Sequence, residues 1–193
     1  MAPKTKFTKE IIINAAFDIA KVEGINQITA RKVAEKMGSS IAPIYVNFTE
    51  IEELKMAVIQ QIHMISQQML MTKYTEDPFL NIGIASLKFS RDYPVLFKDL
   101  ITNNTKYMTD VQPPGDTILQ QMKQAPTLTS FTDEEMGSIL FKMKVFQMGL
   151  SVMDVNGLLP VPFDEQQLIE LLESTGNDLI LAAQSRHNEE EQK

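Results

Sequence analysis

The stretch ITARKVAEKMGSSIAPIYVNF, residues 28–48, reads as two short helices joined by a tight turn. Thr29 opens the first of them. Ala34 stands where the second helix must approach closely, and only a small side chain fits such a crossing. Gly38, four residues later, permits the left-handed backbone that a sharp turn requires. Val33, Met37, Ile44 and Phe48 are spaced to share one apolar centre. Ser39-Ser40 supplies the expected cap of the second helix, placed over about Ile41 to Asn47. Pro43 falls in its first turn, where a missing N–H costs little. The spacing therefore predicts a helix-turn-helix.

Working outward, the helical period continues in both directions. Upstream, Thr8 is a cap, and Ile12, Ala15, Ala16, Ile19 and Ala20 recur at spacings of three and four as far as Glu23, with Gly24 as the stop. Downstream, Thr49 is expected to cap a long helix from about Glu50 to Lys73. Asp77-Pro78 and Tyr93-Pro94 are start signals for helices to Arg91 and Thr102. Residues 103–114 read as a loop, followed by a helix from Gly115 to Gln124. Thr132-x-x-Glu135 is a capping-box pattern that opens an apolar helix to Asn156, and Gly157 ends it. Asp164-x-x-Gln167 opens the last helix, expected to finish near Ser185 before a frayed polar tail. The fold class is all-α, with about nine helices: a three-helix helix-turn-helix domain over residues 1–55 and a helical bundle over residues 56–193.

Composition narrows the function. The 193 residues are 44% hydrophobic and 22% charged, which suits a globular chain with a substantial core. There is no cysteine, so disulfides, thiolate metal sites and cysteine nucleophiles are excluded. The lysine-rich N-terminus is not followed by an apolar stretch of signal-peptide type, and no apolar run is long enough to span a bilayer. These features point to a cytoplasmic protein with no membrane partner. The only histidines are His63 and His187. With no phosphate-binding glycine loop and no paired metal-ligand spacing, the inventory argues against an enzyme and implies no cofactor. The net charge of −7 is unevenly spread. Residues 1–48 carry seven bases (Lys4, Lys6, Lys9, Lys21, Arg31, Lys32, Lys36) against four acids (Glu10, Asp18, Glu23, Glu35), a net of +3 that leaves −10 elsewhere. A basic contact surface on an acidic body is the implication.

The stretch from Ile11 to Leu54 resembles the N-terminal domain of tetracycline-repressor (TetR) regulators. The resemblance rests on Ala15-Ala16, Gly24, Thr29, Ala34 with Gly38, Ile44-Tyr45 with Phe48, and Glu52 with Leu54. It implies a dimeric transcription repressor whose partners are a double-stranded DNA operator, with an inverted repeat, and a small apolar effector. Thr29, Ser40, Tyr45 and Lys55 would contact the DNA backbone. Arg31, Ile41, Ala42, Pro43 and Asn47 would face the groove, and Ser39 completes the DNA-binding set. Two departures stand out: residues 40–47 contain no basic residue, and Ile51 replaces a lysine common in relatives. Readout then leans on thymine methyls, Asn47 and Arg31, and backbone grip on the Lys4, Lys6, Lys9 arm.

For the remaining chain the resemblance implies a dimer interface on the last two helices, through Met136, Ile139, Leu140, Met143, Phe146, Leu150 and Met153 of the first and Leu168, Leu171, Leu172, Leu179, Ala182 and Ala183 of the second. Twelve methionines and ten phenylalanines suit an adaptable apolar ligand cavity. His63, Gln67, Phe89, Tyr93, Tyr107 and Phe141 are its candidate lining residues. An alternative is a sensor of the same fold that acts through protein partners without operator binding, which the uncharged second helix would suit.

Overall fold

The computed structural model describes residues 7–102, 115–161 and 163–191, and all of its regular elements are helices. In chain order they are α1 (Lys9–Glu23), α2 (Ala30–Lys36), α3 (Ala42–Asn47), α4 (Ile51–Leu70), α5 (Pro78–Asp92), α6 (Pro94–Thr102), α7 (Gly115–Met122), α8 (Asp133–Val155) and α9 (Glu165–Glu191). They form two compact units. One contains α1 to α3, α4 as far as Ile65, and α6; the other contains the rest of α4 with α5, α7, α8 and α9. The boundary thus lies inside α4, beyond the 55/56 division read from sequence, and α6 returns to the N-terminal unit.

Local chemistry accounts for the ends of the helices in the first unit. The Thr8 hydroxyl accepts the N–H of Ile11, and the Thr29 hydroxyl accepts that of Lys32, so α1 and α2 both begin on threonine caps. At the end of α2, Gly38 takes φ +62. Around it the N–H of Ser39 reaches the carbonyl of Ala34 at 2.9 Å, and that of Gly38 reaches Glu35 at 3.0 Å. These are the paired bonds of a Schellman turn. Ile12, Ala16, Ile28, Val33, Ile44, Phe48, Leu54 and Val58 are buried in this unit.

The corner between α1 and α2 has a further fastening. Gly24 takes φ +100, and the following N–H, that of Ile25, donates to the Asp99 carboxylate of α6 at 2.7 Å. A Cβ on Gly24 would lie 2.8 Å from that carboxylate oxygen. Glycine is therefore required twice over, for its backbone angle and for the close approach. Phe17 of α1 meets Tyr93, just before α6, edge to face at 6.1 Å between ring centroids.

The second unit packs its apolar residues from α5, α7, α8 and α9 into one core, including Phe79, Leu87, Met122, Leu128, Met136, Ile139, Leu150, Leu168 and Leu172. Its buried polar residues Asn81, Ser90, Gln147 and Ser151 are hydrogen-bonded. Gln147 donates to the Ser151 hydroxyl at 2.8 Å, which lies 3.2 Å from that of Ser90, and Ser90 donates to the Leu87 carbonyl. Arg91 grips Asp154 through two bonds of 2.6 and 3.0 Å and donates a third to the Phe163 carbonyl, tying α5 to α8 and to the segment before α9. The Asp154 bonds raise the Arg91 pKa further above its ordinary value. The predicted capping box of α8 is present: Glu135 donates its N–H to the Thr132 hydroxyl, and its carboxylate accepts the Thr132 N–H at 2.7 Å.

Several expectations need correction. Ser40 does not cap α3; the position is held by Ile41 without a side-chain bond, because α3 starts one residue later than expected. Thr49 lies two residues before the first residue of α4, Ile51. Its N–H is donated to the Glu53 carboxylate at 2.8 Å, which, with Lys9 close by, holds the Glu53 pKa below its usual value. The last helix does not end near Ser185 but runs to Glu191. His187 is consequently ordered, 2.8 Å from Glu135 and edge-on to Phe131. Finally, Met136, Ile139, Leu150, Leu168 and Leu172, read as residues of a dimer seam, are buried within the single chain. Met153, read as a seam residue too, is exposed, as are Phe141 and Val145 of α8 and Leu181 of α9.

Two measurements follow from these contacts. Gly24→Ala combines a left-handed φ with a collision at Asp99, and it should lower stability by about 1–3 kcal/mol in thermal or urea unfolding. The second concerns acid. The Thr132 amide foremost, then His187 and the Thr132 hydroxyl, hold the Glu135 carboxyl at about 2, against the ordinary 4.5. A carboxyl depressed on folding stabilises fully above its unfolded value and loses that effect as pH falls through its folded one. The Tm difference between the protein and Glu135→Gln should therefore be largest above pH 4.5 and should vanish by about pH 2.

Candidate nucleic-acid interface

The helix-turn-helix predicted from residues 28–48 is present, and its geometry sorts the candidate residues. The Ser39–Ala34 bond turns the chain at Gly38, and Ile44 is fully buried, so the orientation of the six-residue α3 about its axis is fixed. Burying Ile44 leaves Ile41, Ala42, Tyr45 and Val46 outermost. Ile41 is 50% exposed, Tyr45 51% and Val46 78%. Ala42 is exposed with them, while Pro43 and Asn47 are half-buried. Side chains four residues apart on a helix lie one above the other, so Ala42–Val46 and Ile41–Tyr45 form a continuous outward face. It holds no charge.

The charges around it are mostly neutralised by their own neighbours. Lys9 pairs with Glu53, Lys21 and Lys36 with Asp18, Lys32 with Glu23, and Lys55 with Glu52. Lys55 retains only 13% of its side chain in solvent, so it is not presented as a free cation. Lys9 also lies 4.8 Å over the Phe48 ring. Arg31 differs. It is exposed at the start of α2, and of the six described basic residues from Lys9 to Lys55 it alone has no ion pair among the described residues. Lys4 and Lys6 lie outside the described residues.

The polar candidates are placed unevenly. Thr29 is exposed, and its oxygen accepts the Lys32 N–H, which leaves the hydroxyl proton to donate outward. Ser40 is exposed, whereas the Ser39 hydroxyl donates to the Ser40 carbonyl at 3.0 Å. Asn47 turns inward on its own helix, where its amide donates to the Pro43 carbonyl at 2.8 Å. Val46 is the outward residue that the sequence reading passed over. Its spacing of four from Ala42 was the available signal.

The six residues chosen as a ligand lining are scattered. His63 and Tyr93 fall in the first unit, both half-buried; Gln67, Phe89 and Phe141 fall in the second. Within that second unit Phe89 is buried, while Gln67 is exposed and Phe141 is 67% exposed. Tyr107 lies outside the described residues. No helix among the described residues is long and apolar enough to cross a membrane.

No family model and no curated protein matches this chain by sequence. Solved structures do match its fold. A TetR-family transcriptional regulator from Streptomyces coelicolor superposes with a TM-score of 0.73 at 12% identity, over 94% of this chain and 83% of the other. A TetR-like regulator from Rhodococcus sp. RHA1 gives 0.62 at 18% identity, over 91% and 96% of the two chains. A TetR-family regulator from Haemophilus influenzae Rd gives 0.59 at 20%, over 90% and 94%. The match in each case extends through both units of the chain, and the chain therefore has the fold of the TetR-family transcriptional regulators.

Proposed function

We propose that the protein is a non-enzymatic regulator of transcription, a repressor that binds an inverted-repeat operator as a dimer and leaves it when a small apolar ligand binds. The observations that carry this reading are Arg31 of α2, exposed and without an ion pair among the described residues, and the uncharged outward face of α3, on a fold shared with TetR-family regulators. An exposed guanidinium held by no carboxylate is free to meet a phosphate or a guanine edge. Thr29, Ser40 and Tyr45 are the backbone contacts in this reading; Arg31, Ile41 and Ala42 are the groove-facing ones. Residues 1–55 meet the DNA, and the remainder senses ligand and dimerises.

Two features support the rest. α4 contributes residues to both units, so it is the element through which an event in the second would act on the first. To switch, the ligand must bind the non-operator conformation more tightly. A coupling of about 1–3 kcal/mol would lower operator affinity about 5–150-fold, and operator would weaken ligand binding equally. Phe141, Val145 and Gly149 recur every four residues along α8, and all three are exposed in the single chain. A contiguous apolar strip of this kind suits a self-complementary interface with a second copy.

The absence of charge on α3 favours one competing reading, a sensor whose α3 face meets a protein instead of DNA. A gel shift with the upstream region of its own gene, repeated across salt concentrations, separates the two. DNA binding should weaken steeply as salt rises, because phosphate contacts release counterions. Arg31→Ala should cost about 1–3 kcal/mol of operator affinity, while Tyr45→Phe should weaken all sequences alike. If both variants bound as the parent does, the assignment of the interface would be wrong. For assembly, Val145→Asp places a charge on the exposed strip without disturbing the buried core. Sedimentation should show a folded monomer for this variant and a dimer for the parent; a dimer unchanged by the substitution would move the interface elsewhere.

A further inference from the structure

We propose that Val46, with Ile41 and Ala42 beside it, selects operator half-sites by packing against the 5-methyl groups of thymine in the major groove. The inference rests on the DNA-binding reading above and adds the chemistry by which sequence is chosen.

What α3 can offer a base edge is narrow. Its outward residues are three aliphatic side chains and one phenol. The one side-chain amide, that of Asn47, already donates to the Pro43 carbonyl one turn back. Ser39, in the turn, is likewise donating to a main-chain carbonyl. What remains outward is a surface with almost no hydrogen-bonding capacity. The major-groove edge of a G·C pair carries two acceptors and an amino donor, and the A·T edge adds to its polar groups a methyl group that projects into the groove. An aliphatic face laid on G·C strips water from those polar atoms and replaces none of the lost bonds, which is costly. Laid on thymine, it buries methyl against methyl. The preference is thus set by desolvation.

Val46 is placed to contribute most. Among the described residues it is the most exposed of the large apolar ones, at 78%. A branched side chain so open to water gains on being covered, and its stiff χ1 presents both methyls at little entropic cost. Arg31, which comes from α2, is left to supply the charged contact that α3 lacks.

The test uses duplexes carrying a randomised core. Wild-type protein is used to select bound duplexes, and thymines at the fixed positions of the selected sequence are then replaced one at a time by deoxyuridine, which removes only the methyl. Selection should fix thymine at positions in each half-site. Deoxyuridine there should weaken binding about fourfold per methyl, and about 15-fold when both half-sites are changed. In Val46→Ala, whose substituted side chain is exposed and whose fold is checked by circular dichroism, the penalty at one of these positions should shrink towards none. Three results would overturn the proposal. If no sequence is enriched and binding is lost altogether, the DNA-binding reading fails with it. If a site is enriched but deoxyuridine binds as thymine does, or the fixed positions are G·C, then DNA binding stands and methyl readout is wrong. A deoxyuridine penalty undiminished in Val46→Ala assigns the contact to another residue and removes Val46 from the role.

Discussion

The main-chain bond from Ser39 to the carbonyl of Ala34 sets the direction in which α3 leaves α2. It closes only because Gly38 adopts a left-handed angle that costs other residues about 1 kcal/mol or more. Once the turn is made, burial of Ile44 and Phe48 fixes the rotation of α3, and the four outward residues follow from that rotation without further choice. The outward surface of α3 is therefore the remainder left by a packing problem. Its chemistry is decided by which residues are not needed inside.

Electrostatics complete that surface by subtraction. The segment is basic in total, yet Lys9, Lys32 and Lys36 are bound to carboxylates on neighbouring helices and Lys21 to Asp18 on its own. Such exposed pairs contribute little to stability individually. Their effect is on availability: they lower the local positive potential and leave Arg31 as the charge that a partner would feel first. Net charge along the sequence overstated the breadth of the basic surface, because pairing depends on which helices meet.

The helix-turn-helix was legible because its signals are local. Thr29 as a cap, Gly38 as a stop and the period of Val33, Ile44 and Phe48 act within a few residues of one another, and the structure places each as read. The capping box at Thr132 was legible for the same reason. What was missed depends on distance in sequence. An apolar period marks a buried face without naming what buries it, so Leu168 and Leu172 looked as suited to a dimer seam as to the core that they occupy. The polar end of α9 looked frayed because its partner, Glu135, lies 52 residues away. Among the site residues, Arg31 and Ile41 are exposed, whereas Lys55 and Asn47 are engaged within their own helices, by Glu52 and by the Pro43 carbonyl, local pairings that the sequence reading did not weigh.

Asp99 reaches Ile25 across 74 residues, and between them the chain makes all of α5, which belongs to the other unit. The N-terminal unit is thus interrupted in sequence. During synthesis α1 to α3 leave the ribosome long before the carboxylate that fastens their corner, and domains ordinarily fold as units in the order in which they emerge. Here the first unit waits for a part of the chain made after the second has begun. A segment cut at residue 55 would lack α6 altogether, leaving the Ile25 amide without its acceptor and losing Leu96, which is buried in the whole chain. Exchange of the helix-turn-helix between proteins of this fold would, for the same reason, have to carry two separate stretches of sequence.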